Sequence, residues 1–172
     1  IFNAITGTKQ HVGNWPGVTV EKKVGKRKWK GIDMEFIDLP GTYSLSAYSL
    51  DEKIAKDHIL EAQPDIIIQV VNATNLERNL FLTSQLMDLN MKVIISLNMY
   101  DVSRRKGIDI DIDLLSKKLS IPVIPTVGNR KEGINDLLDN IIDTSVSDKR
   151  PGPMFLYDRE LESKIQKISR VL

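Results

Sequence analysis

Asp38-Leu39-Pro40-Gly41-Thr42 and Asn98-Met99-Tyr100-Asp101 decide the reading of this chain. Each closes an apolar run, residues 32–38 and 93–98. An Asp at a strand end can hold part of a magnesium shell, and Gly41 can offer its backbone N–H to a phosphate with no side chain in the way. The Asp101 carboxylate can accept two hydrogen bonds from the N1–H and exocyclic amine of guanine, a pairing that adenine cannot make. Either motif alone is an ordinary strand-to-helix connection, for which Pro-Gly and Asn are common. In this order, on successive strand ends, they imply a domain that senses a γ-phosphate and reads a guanine. No G-x-x-x-x-G-K-[ST] phosphate loop occurs in the 172 residues.

Working outward, four short β-branched runs read as buried parallel strands, at 32–38, 66–72, 93–98 and 121–125. Helix-period segments lie between and after them, at 49–62, 76–89, 111–119 and 134–142. That alternation predicts an α/β fold, a mainly parallel sheet with helices on both faces. Ligands of such sheets sit beyond the carboxyl ends of the strands, where Asp38, Asn72, Asn98 and Thr126 all fall. Residues 18–30 carry six basic side chains against one acidic. They predict a charged antiparallel edge hairpin with residues 32–38, which discourages aggregation, with a lipid-facing patch as the lesser reading.

Thr19 stands in Gly13-Asn14-Trp15-Pro16-Gly17-Val18-Thr19-Val20-Glu21, a loop with three glycines or prolines ahead of it. A hydroxyl there can complete a magnesium shell while the backbone of Gly17, Val18 and Thr19 meets the nucleotide, and phosphate loss would release the loop. An indole in a solvent loop exposes apolar area for no structural gain, so Trp15 argues against a generic loop. Thr126-Val127-Gly128 offers backbone donors to a guanine O6, a weak signal. Gly128-Asn129-Arg130-Lys131-Glu132-Gly133 imitates a phosphate loop, but Ile134-Asn135 follows where Lys-Ser/Thr is required. The acidic run at 109–113 lacks the Gly and Glu of a calcium loop and suits a helix N-terminus. His58 reads as a surface residue of a helix.

Composition narrows the partners. A net charge of +1, from 24 basic and 23 acidic residues, leaves no footprint for nucleic acid. The absence of cysteine rules out disulfides and thiolate metal sites. No apolar run approaches the roughly 20 residues of a membrane span.

Three stretches, residues 13–21, 38–45 and 72–80 (Asn72-Ala73-Thr74-Asn75-Leu76-Glu77-Arg78-Asn79-Leu80), together resemble the cytosolic G domain of the ferrous iron transport protein B family. The resemblance runs from about Ile1 to Thr144. It implies a Ras-like P-loop GTPase fold in residues 1–146, a linker at 147–153, and the first helix of a truncated helical domain at 154–172. It implies GTP and GDP as ligands, slow Mg2+-dependent and K+-activated hydrolysis, and coupling to Fe(II) uptake. Thr19 and Gly41 would serve hydrolysis, with Thr19 and Asp38 at the Mg2+ and carbonyls near Gly13 and Trp15 at the K+. Asn98, Met99 and Asp101 would hold the base. The partner would be the membrane permease domain of the same polypeptide, at the cytoplasmic face of the inner membrane, with homo-oligomers left open.

Three departures from the wider GTPase pattern matter. Thr42 follows Gly41 where other GTPases carry a water-orienting Gln, which predicts slow turnover and leaves a non-hydrolytic nucleotide sensor as the alternative. Met99 replaces the usual Lys over the base. Finally, Ile1–Gly7 resembles the family's first helix, so the phosphate loop and the first, central strand are expected upstream of residue 1.

Overall fold

The computed structural model describes residues 1–7 and 10–148. The expected helix at 154–172 and residues 149–153 of the expected linker lie outside them. The elements are α1 (Phe2–Thr6), β1 (Gln10–Asn14), β2 (Glu21–Trp29), β3 (Ile32–Asp38), α2 (Leu50–Ala62), β4 (Ile67–Asn72), α3 (Leu76–Asp88), β5 (Val93–Asn98), α4 (Tyr100–Arg105), α5 (Ile112–Leu119), β6 (Val123–Pro125) and α6 (Ile134–Val146).

The parallel sheet runs β4-β5-β6. Its middle strand explains the two-faced core. The first five residues of β5 are all buried, and successive side chains point to opposite faces. Val93, Ile95 and Leu97 join Leu82 and Leu86 of α3, Ile59 of α2 and Leu119 of α5. Ile94 joins Ile5 of α1 and Leu137, Leu138 and Ile141 of α6. Helices therefore cover both faces, as the alternation of runs implies.

Residues 32–38 form the second arm of the expected hairpin, with no parallel neighbour among the described residues. They pair antiparallel with β2, register Trp29↔Ile32 to Lys23↔Asp38. The cause is local: Lys30 and Gly31 form a two-residue loop with φ of 46° and 85°, the left-handed pair that matches hairpin twist. The basic stretch is not an edge, however. β2 lies between β1 and β3, and Lys26, Lys28 and Lys30 pair with Glu35, Asp33 and Asp139.

The other boundaries move by a few residues. Leu50 opens α2 because Ser49 caps it, accepting from the Glu52 N–H while Glu52 returns a bond to the Ser49 backbone. Asp111 caps α5 by accepting from Leu114 N–H at 2.9 Å, the role the acidic run suggested. The last helix continues to Val146. Among the described residues β3 and β4 each have one edge without a strand partner, and both line a cleft of about 1080 Å³.

Candidate guanine-nucleotide site

The residues expected to read a base come together at the end of β5. Asn98 Oδ1 accepts the Gly128 N–H at 3.1 Å, tying the strand end to the loop after β6. Beneath it, the hydroxyls of Ser96 and Thr126 bond at 2.9 Å with both residues fully buried. Met99 adopts φ 59° at the N-cap of α4, a turn that sends Asp101 into the helix's first turn. Gly133 closes the loop: a Cβ there would lie 2.1 Å from the Pro125 carbonyl oxygen, so only glycine fits.

The phosphate half converges on Ile1 and Asp38. The Ile1 backbone nitrogen lies close enough to meet a Cβ placed on Gly128 at 3.4 Å, with Asn98 Oδ1 at 3.5 Å from the same point. Burial pushes the Asp38 carboxyl above its usual range, against the pull of Lys23. A half-buried carboxylate held this way gains from a cation beside it. Asp38, Ile1, Asn98 and Gly128 thus share one end of the fold.

Other expected site residues are engaged differently. Gly13 sits in β1, paired with Lys22, so the loop is shorter than expected and spans residues 15–20. The Trp15 carbonyl accepts the Val18 N–H at 3.2 Å, and Trp15 N–H donates to Val20 O at 2.9 Å. Gly17 turns this loop with φ 74°. Thr19 is exposed and, among the described residues, no hydrogen bond joins it to Asp38. The three N–H groups expected to meet guanine O6 all donate internally: Thr126 to Leu97 O and Val127 to Glu132 O, and Gly128 to Asn98.

Trp15 corrects its own argument. The indole is buried, 6% exposed, edge-on to His58 at 4.9 Å and under the Lys22 ammonium at 4.7 Å. Its apolar area is covered, so its burial has a structural gain, and His58 is a packing partner instead of a free surface residue.

The segment after Asp38 is anchored to α3. Leu45 N–H donates to Gln85 Oε1 at 2.8 Å, and the Arg78 guanidinium lies 3.8 Å from the Tyr43 ring. Thr42 Oγ1 donates to Ser44 O at 2.5 Å and accepts the Ser44 N–H at 3.2 Å. Sequence reasoning missed Ser96, Gln85 and Arg130. Only Ser96 left a signal, a hydroxyl inside the apolar run at 93–97.

The family model for ferrous iron transport protein B matches residues 1–141. This chain belongs to the ferrous iron transport protein B family. It is 50% identical over 141 residues to the Fe(2+) transporter FeoB of Escherichia coli (strain K12), covering 80% of this chain and 18% of that protein. Over the same length it is 48% identical to the Fe(2+) transporter FeoB of Salmonella typhimurium, again 18% of the relative. The chain thus spans under a fifth of these relatives. Among solved structures, the cytosolic domain of T. maritima FeoB in its GMPPNP form superposes with a TM-score of 0.89 at 41% identity, covering 98% of this chain and 67% of that one. The cytosolic domain of L. pneumophila FeoB gives 0.88 at 38% identity, covering 98% and 75%. The fold is that of the FeoB G domains, a Ras-like P-loop GTPase fold. Among the described residues no helix is long and apolar enough to cross a membrane.

Proposed function

We propose that this chain is the guanine-nucleotide switch of a Fe(II) uptake transporter. It binds GTP and GDP with Mg2+, hydrolyses GTP slowly, and acts on a membrane permease domain of the same polypeptide at the cytoplasmic face of the inner membrane. The observation that carries the proposal is the Asn98–Gly128 bond beside Asp101 at the carboxyl end of β5. T. maritima FeoB cytosolic domains in GDP and GMPPNP forms support the nucleotide assignment.

In this reading Asp101 takes the two guanine donors, Asn98 holds the base loop, and Met99 lies over the base. Asp38 and Thr19 would hold Mg2+, which supplies charge to the β- and γ-phosphates. Among the described residues no three His, Asp or Glu cluster as a cage. That suits a nucleotide-borne Mg2+, for which one carboxylate and one hydroxyl suffice. Gly41 N–H would meet the γ-phosphate. Reaching that state requires the 15–20 loop to bring Thr19 toward Asp38.

Residues 1–146 form the G domain in this proposal, with the first strand and phosphate loop upstream. The free edges of β3 and β4 along one cleft support a strand between them, since buried backbone groups without partners cost about 1–3 kcal/mol each. Activation by K+ at the Gly13 and Trp15 carbonyls would need the same loop rearrangement, since Gly13 is strand-paired with Lys22 and the Trp15 carbonyl accepts the Val18 N–H in the present loop.

A non-hydrolytic sensor is the second reading, favoured by Thr42, whose hydroxyl is committed to Ser44. Titration with mant-GDP and mant-GTPγS against ATP competitors tests the binding. Phosphate release from GTP above the uncatalysed rate tests the enzyme, and its rise when potassium replaces sodium tests the K+ activation. Binding that ATP competes equally would sink the guanine assignment, and turnover at the uncatalysed rate would leave the sensor.

A further inference from the structure

We propose that Arg130 is a latch on the guanine-reading carboxylate: its pairing with Asp101 competes with the base and so weakens guanine binding and speeds release. The inference rests on the guanine reading above and assigns a regulator to that site.

The Asp101 side chain is 22% exposed, and its Oδ2 faces two guanidinium groups, Arg105 Nη2 at 3.1 Å and Arg130 Nη2 at 3.4 Å. The two differ in origin. Arg105 lies one turn along α4, so it travels with Asp101 as an i,i+4 pair. Arg130 reaches across from the loop after β6, the loop that Asn98 holds through Gly128.

The loop itself aims Arg130. Glu132 takes its Nε at 2.9 Å on one oxygen and its Nη2 at 3.4 Å on the other, a fork on a fork. Glu132 is fixed in turn by reciprocal backbone bonds with Val127, at 3.1 and 3.3 Å. The guanidinium is therefore presented to Asp101 by a closed turn.

Guanine offers two donors and asks for both carboxylate oxygens. A guanidinium already on Oδ2 reduces its strength as an acceptor and sets positive charge against the incoming N–H groups. Adenine presents no such donor pair, so Arg130 subtracts from guanine affinity alone. The Arg130 side chain is 50% exposed, which puts the pair in the weak, salt-screened class, worth roughly a two- to fivefold change in affinity.

The test is equilibrium and stopped-flow mant-GDP binding by the full-length protein, with mant-ADP alongside. R130A should tighten GDP about two- to fivefold, mainly through slower release, and leave ADP unchanged. R130K, which keeps charge but loses the fork, should fall between. The gain should shrink as NaCl is raised. An R130A protein with unchanged or weaker GDP affinity overturns the latch, and so does an equal gain for ADP, which would place the effect at the phosphates. R130K decides the matter in the same way should R130A not fold. Absence of GDP binding by the unsubstituted protein would instead sink the guanine reading and the latch with it.

Discussion

The ring of Trp15 meets that of His58 edge-to-face, centroids 4.9 Å apart and planes at 69°. This contact pins the loop that carries Thr19 to α2, the helix that follows Asp38-Leu39-Pro40-Gly41. Two segments that a γ-phosphate would have to rearrange are therefore fastened to each other, with Lys22 capping the indole.

The contact predicts a pH dependence. Burial lowers the His58 pKa from 6.5, Lys22 lowers it further, and Glu61 opposes them. The folded state then prefers neutral imidazole, whereas the unfolded chain takes a proton near 6.5. The His58 contribution to stability is complete above that value and is lost as pH falls below it. Urea midpoints from pH 5 to 8 should decline on the acid side, and H58Q should flatten the decline. An equal slope in H58Q would assign the effect elsewhere.

Under the base loop, Ser96 and Thr126 satisfy each other in full burial. T126V strands the Ser96 hydroxyl and should cost about 1–3 kcal/mol, whereas S96A/T126V removes both partners and should regain much of that. Denaturant titration of the single and double variants reads the cycle. Strict additivity would mean that the hydroxyl pair contributes nothing as a pair.

Asn98 is expected to affect ligand more than fold. N98A deletes the acceptor for Gly128 N–H and frees the loop that carries Arg130 and Glu132. Losing a positioned bond of this class should weaken GDP about tenfold or more, with a smaller change in melting temperature because Asn98 lies at the strand end. Isothermal titration with GDP reads the first and calorimetric melting the second. Unchanged GDP affinity would remove Asn98 from the site.

What the sequence made legible follows from the range of the interactions. The run at 93–98 declared β5 because burial on both faces demands a largely apolar strand, and the helical period of residues 49–62 declared α2. Asp38 and Asn98 were legible as the ends of β3 and β5 because strand ends and turn chemistry are local. The pairing of β3 with β2 was legible from the alternating stretch before residue 32, but β1 on the other side of β2 was not, because Gly13 and Asn14 read as loop. Trp15 was misread because its cover, His58 on α2 and Lys22 on β2, is set by tertiary packing. Arg130 gave no signal, since a charged residue in a polar turn reads as solvent-facing until Asp101 is placed beside it.

Asp139 extends the same logic to the far end of the hairpin. Its Oδ1 accepts the Trp29 indole N–H at 2.6 Å and the Lys30 ammonium at 2.7 Å, so the β2–β3 tip is fastened to α6. Lys30 first and Trp29 second hold the Asp139 carboxyl below 3.8. A depressed carboxylate stabilises above its unfolded pKa and loses that contribution as pH falls through the folded value, a more acid window than that of His58. D139N retains an acceptor for Trp29 but gives up the charge, so it should remove the Asp139 share of the acid-side slope below the ordinary carboxylate range while leaving the indole N–H protected. D139A removes both partners and should expose that N–H to faster hydrogen exchange, read by its NMR indole resonance. If exchange in D139A matched the unsubstituted protein, packing of Trp29 against α6 alone would hold the tip, and Asp139 would be a surface charge without a structural role.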